Sequence, residues 1–159
     1  MEDNIPNSFI KLITSDLKCL NLEIKAMNNS EFLKNLCQDF PNAEINLSQI
    51  NYKTLVKIVE FLEHYKNKQP KKIQRPLPKK DFKECVDEWD YNFINIDTEE
   101  IFELMIGANY LHIQALLDLT SAKIASMIRG KSPEEIRRIL GMKKDNDEFN
   151  ENEIKEEID

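Results

Sequence analysis

At 159 residues with a net charge of −7, 41% hydrophobic and 32% charged, the chain has the make-up of one globular domain with appendages and broad solvated faces. Its longest apolar runs fall far short of the roughly 20 residues that cross a bilayer, and its acidic charge repels nucleic acid, which leaves protein partners as the expectation. The start, Met1-Glu2-Asp3-Asn4, leads into no apolar signal segment with a small-residue cleavage site, so the chain is expected inside the cell.

Phe9 to Thr14 and Leu17 to Leu22 are short runs rich in Ile, Leu and Phe around Ser15-Asp16, and they predict a β-hairpin. Ser30 to Asp39 places Phe32, Leu33, Leu36 and Cys37 at helical spacing, with Ser30 as N-cap and Pro41-Asn42 as the break. A third strand is expected at Glu44 to Leu47. From Asn51 to Lys66 the apolar set Leu55, Val56, Ile58, Val59 and Leu62 defines an amphipathic helix.

Between Asn67 and Val86, Pro70, Pro76 and Pro78 interrupt any helix, and eight basic residues from Lys66 to Lys83 face only Asp81 and Glu84. This is a basic linker; a phosphate-binding arm is the alternative, disfavoured because only Phe82 interleaves the charges. Helices are predicted for Trp89 to Asn95, for a segment capped by Thr98 that carries Ile101, Phe102, Leu104, Met105 and Ala108, and for Ile113 to Ile128. Gly130 ends the last of these by accepting a positive φ, and Ser132-Pro133-Glu134-Glu135 reads as a capping box that starts a final helix through Ile136, Ile139 and Leu140 to Gly141. Beyond Met142, eight acids face three lysines, and Phe149, Ile154 and Ile158 are the only apolar anchors, so the tail is expected to be mobile in the free chain.

The residues offer little to an enzyme. His64 and His112 lie far from each other and from any cysteine at ligand spacing, and three glycines cannot build a phosphate cradle. Cys19, Cys37 and Cys85 match no metal or CxxC pattern, and their odd number argues against a disulfide framework; they read as reduced, half-buried thiols. No metal, cofactor or catalytic residue is expected. The half from Trp89 to Gly141 instead carries more apolar residues than one buried stripe per helix requires, so its second faces either pack on further neighbours within the chain or meet a partner.

The runs Trp89-Asp90-Tyr91-Asn92-Phe93-Ile94-Asn95-Ile96-Asp97 and Phe102 to Leu111, then Leu116 to Thr120 and Ala125 to Arg137 with its Ser-Pro-Glu-Glu-Ile core, resemble the Skp adaptor family of SCF ubiquitin ligases, the S-phase kinase-associated protein 1 family. Ile10-Lys11-Leu12, Ser30 to Asp39, Asn46-Leu47 and His64-Tyr65-Lys66 agree in order, so the resemblance spans residues 8 to 142. It implies an α/β fold: a BTB/POZ-type core with a small β-sheet and helices, plus a carboxy-terminal helical F-box-binding extension. Residues 1–67 and 86–112 would form the two parts of the core, 68–85 the basic linker, 113–142 the F-box-binding helices and 143–159 the acidic tail.

The resemblance also implies a non-enzymatic adaptor that bridges F-box proteins to a cullin, and through it indirectly to a RING protein and a ubiquitin-conjugating enzyme, with no nucleic acid or membrane among its partners. The family's cullin contact falls on Asn109 and Tyr110. Positions matching its F-box surface are Phe102, Leu116, Leu117, Ile124, Ile128, Ile136, Ile139 and Leu140, among which helical spacing does not separate core from surface. Four departures stand out: the hairpin turn lacks a glycine, the loop at Phe40-Pro41-Asn42-Ala43 is short, the linker is basic, and no tryptophan follows Trp89. The competing readings are a structural adaptor in a non-ligase F-box complex, such as a kinetochore or proton-pump assembly complex, and an elongin-C-like adaptor; Gly130 to Leu140 weighs against the latter.

Overall fold

A computed structural model describes residues 9–39 and 44–141. The chain falls into two compact units, residues 1–126 and 127–159. In chain order the elements are β1 (Phe9–Thr14), β2 (Cys19–Glu23), α1 (Glu31–Asp39), β3 (Ile45–Leu47), α2 (Tyr52–His64), α3 (Glu88–Ile94), α4 (Thr98–Tyr110), α5 (Gln114–Ile128) and α6 (Pro133–Ile139). Short 3-10 turns cover Ile24–Asn29 and Phe82–Glu84. The break at Pro41-Asn42, and the tail from Lys143 with Phe149, Ile154 and Ile158, lie outside the described residues.

The sheet has the order β2-β1-β3, with β1 antiparallel to β2 and parallel to β3. Alternation along β1 sends Ile10, Leu12 and Thr14 inward, while Phe9 stays 58% exposed. Leu12 and Leu22 from the sheet join Leu55, Ile58 and Leu62 of α2 and Ile101, Leu104 and Ala108 of α4 in the core. Gly107 permits the close approach of α2 to α4, since a Cβ there would stand 2.7 Å from Ile58 Cδ1.

The hairpin closes without glycine. Leu17 takes φ 59°, the left-handed region, and is thrown 84% exposed into solvent, so β2 starts at Cys19 rather than at Leu17. Asp16 of that turn accepts a bond from the Thr14 hydroxyl at 2.5 Å and another from the Tyr52 amide at 3.0 Å. The Thr14 hydroxyl is the main cause holding the Asp16 carboxyl below its ordinary range.

Several expectations need correcting. Thr98 does not cap α4; it is the first helical residue, and Asp97 holds the extended flanking conformation with no side-chain cap bond. Val56 is 40% exposed, because the buried stripe of α2 runs instead through Thr54, Leu55, Ile58, Phe61 and Leu62. Cys19 is exposed on the outward face of β2, whereas Cys37 and Cys85 are half-buried; all three are free thiols. The capping box at Ser132 and Glu135 is present, and Gly130 and Gly141 take φ of 71° and 66°.

At the far end of α2, a ring cluster joins it to α3. His64 stacks on Trp89 with centroids 3.6 Å apart, and Trp89 stacks on Phe93 at 5.0 Å. Beside them the Tyr65 hydroxyl donates to Asp90 at 2.5 Å, both residues being buried. Burial raises the Asp90 carboxyl above its ordinary value and is also the largest cause raising the Tyr65 hydroxyl. Burial lowers His64, whose ring serves packing here.

Candidate protein-binding surfaces

The first surface is organised where α4 ends and α1 begins. Leu111 closes α4 and His112 turns the chain in the left-handed region at φ 51° before α5. The carbonyls this turn leaves over are used by α1: Glu31 N–H donates to His112 O at 3.3 Å and Phe32 N–H to Leu111 O at 3.4 Å. Buried Ser30 completes the joint, its hydroxyl donating to Leu111 O at 2.7 Å and accepting from Leu33 N–H at 3.3 Å. The positive end of α1 thereby meets the negative end of α4.

This joint fixes Tyr110. Its ring lies 5.4 Å from that of Phe32 at a tilt of 42°, and the residue is half-buried, whereas Asn109 beside it is exposed. Next to Phe32 an open groove of about 400 Å³ is lined by Phe32, Asn35 and Leu36 with Glu31, Asp39 and His112. Ile106, four residues before Tyr110 on the same helix, is 58% exposed. Sequence reasoning missed Ile106, although its i, i+3, i+4 relation to Asn109 and Tyr110 was the available signal. A large apolar side chain beside a tyrosine and an amide, next to an acidic groove, suits a helical partner with apolar knobs and basic flanks.

The second set of predicted residues lies on α4, α5 and α6. In the first unit Leu116 is fully buried and belongs to the core, whereas Phe102, Leu117 and Ile124 are half-buried. Leu117 and Ile124 share a face of α5, seven residues apart. Within the second unit Ile128, Ile136, Ile139 and Leu140 are half-buried, and no residue of α6 is buried. A seven-residue helix that buries none of its side chains is held locally by its capping box and keeps its apolar side chains accessible.

No group of three residues suited to hold a metal occurs among the described residues, and no described helix is long and apolar enough to cross a membrane.

Residues 8–67 match the Skp1 family, tetramerisation domain, and residues 114–159 match the Skp1 family, dimerisation domain. The S-phase kinase-associated protein 1 homolog of Tetrahymena thermophila is 34% identical over 150 residues, covering 93% of this chain and 90% of that protein. The chain belongs to the Skp1 family. The E3 ubiquitin ligase complex SCF subunit sconC of Arthroderma benhamiae is 34% identical over 150 residues, which cover 93% of this chain and 92% of the relative. The SCF ubiquitin ligase complex protein SKP1b of Dictyostelium discoideum is 36% identical over 158 residues, covering 94% of this chain and 93% of the relative. The three-stranded mixed sheet with its helices is accordingly the POZ-type α/β part of a Skp1-family chain. The POZ match ends at residue 67, where the basic linker begins, and the second match opens at Gln114, the first residue of α5.

Proposed function

We propose that this chain is the adaptor subunit of an SCF E3 ubiquitin ligase, joining F-box substrate receptors to a cullin. The observation that carries the reading is the extent of the likeness: relatives named as SCF subunits align with 93 to 94% of the chain, through the POZ segment and the terminal helices alike. An adaptor of this kind transfers no group itself. It holds a receptor-bound substrate near a ubiquitin-carrying enzyme and so raises their effective concentration.

We assign the cullin contact to Asn109 and Tyr110, with Ile106 as a third member. The exposure of Asn109 and Ile106, and the seating of Tyr110 on Phe32, support that assignment. Phe102, Leu117, Ile124, Ile128, Ile136, Ile139 and Leu140 are assigned to the F-box contact, their half-buried state supporting it, and Leu116 backs α5 from inside. The proposed location is the cytoplasm and nucleus. The test is reconstitution: the purified chain, mixed with a cullin amino-terminal domain and an F-box protein, should elute as one ternary complex. Failure to bind either partner would overturn the reading.

A further inference from the structure

Residues 66–80 carry seven cations and no acid, in a chain whose net charge is −7. Beyond the turn at Asn67 the segment forms neither helix nor strand, and it runs as an irregular strap with bends until the 3-10 turn at Phe82. Its apolar anchors, Leu77 and Phe82, are buried, and four of its seven cations are paired: Lys66 with Glu23 at 2.9 Å, Lys71 with Asp87 at 3.8 Å, Arg75 with Asp118 of α5 and Lys79 with Glu84 at 3.4 Å. Asp118 is held in turn by Gln114 at 2.8 Å. The strap is therefore fixed in place rather than a loose tether.

Between the strap and the first turns of α5 lies an open groove of about 930 Å³, lined by Lys72, Ile73, Gln74, Arg75, Gln114 and Asp118. Lys72 and Lys80 are exposed and make no ion pair among the described residues. A cluster of one charge sign on a molecule of opposite net charge sets up a local field that steers encounter with a complementary surface.

We propose that this groove and strap form a docking site for an extended acidic peptide segment of a partner protein, independent of the cullin and F-box contacts. Charge complementarity selects the occupant. Binding of nucleic-acid single strands calls for exposed aromatic platforms, and the rings flanking the strap, Tyr65 and Phe82, are buried. The open shape and the polar lining of Gln74 and Gln114 suit carboxylates and peptide amides along an extended backbone rather than one compact anion. The strap's lysines would steer such a segment, and Arg75 and Gln114 would fix its register.

The experiment uses the full chain and a labelled deca-glutamate peptide, read by fluorescence anisotropy at low and at raised salt. Binding that weakens with salt is expected, and Lys72→Glu with Lys80→Glu should weaken it by about tenfold or more at an unchanged melting temperature. A control of equal charge change on other exposed lysines, Lys25→Glu with Lys34→Glu, should leave binding nearly intact. Absence of binding, equal loss in the control, or tighter binding of labelled oligothymidylate or of anionic phosphatidylserine vesicles than of the peptide would overturn the proposal.

Discussion

The Ser30 hydroxyl bridges the Leu111 carbonyl and the Leu33 amide, so one buried side chain closes the end of α4 and the start of α1 together. Ser30→Ala removes an N-cap and leaves a buried carbonyl short of one donor. The expected loss is about 1–2 kcal/mol in urea denaturation. A variant as stable as the parent would show that the amides of Glu31 and Phe32 suffice for the joint.

Tyr65→Phe takes one donor from buried Asp90, and the cost should depend on pH. Burial already holds the Asp90 carboxyl above its ordinary value, and the Tyr65 bond works in the opposite sense, so its loss raises the carboxyl further. A carboxyl whose folded pKa exceeds its unfolded one binds more protons when folded, and stability falls as pH rises through that window. The variant's deficit should be largest at neutral pH, about 1–3 kcal/mol, and shrink on acidification below the raised value. Denaturation series at neutral and acid pH check this; a deficit that grows on acidification would contradict it.

Leu17→Gly is expected to stabilise the chain. A left-handed non-glycine residue costs roughly 1–2 kcal/mol, against about 0.5–1 kcal/mol for the added freedom of glycine in the unfolded chain. With Leu17 almost fully exposed, no packing is lost, and a net gain of up to about 1 kcal/mol should appear as a higher melting temperature.

Ile106→Glu and Tyr110→Ala should each weaken cullin binding by about 2 kcal/mol or more while F-box binding persists. Calorimetric titration with both partners, with melting temperatures as the folding control, separates a surface role from a core one. Equal loss of the two partners would mark the pair as structural.

Ile136→Asp and Leu140→Asp should do the reverse. A charge introduced into an apolar contact is left unpaired, so F-box capture should fall sharply while cullin binding stays. Pull-downs that retain the F-box protein with both variants would remove α6 from the contact.

Much of this was legible because the signals were local. Ser132, Pro133 and Glu135 determine the start of α6 through one turn of chain, and the apolar runs on either side of Ser15-Asp16 mark the hairpin of β1 and β2. What stayed hidden depended on partners distant in sequence. Leu116 and Leu117 are adjacent leucines, and only the packed core makes one fully buried and the other half-buried. The joint of Ser30 to Leu111 links positions 81 apart, which no helical period can reveal. The 3-10 turn at Ile24–Asn29 carries too few residues for a period to register. Ile106 was passed over because an apolar residue in an apolar helix reads as core until its exposure is seen.

The central place of β1 also sets an order of events during folding. Its pairing with β2 closes a short loop through residues 15–18, whereas its parallel pairing with β3 joins Leu12 to Ile45 and must wait for α1 to be accommodated between them. Loop-closure entropy and contact order both favour the hairpin as the early event. Destabilising changes on β3, such as Leu47→Ala, should then act chiefly on the unfolding rate, and those on the hairpin, such as Leu22→Ala, chiefly on the folding rate. The strand shared by both ladders is thus common to the early and the late step: β2 joins one edge of β1 across a short turn, and β3 joins the other edge only by closing a much longer stretch of chain.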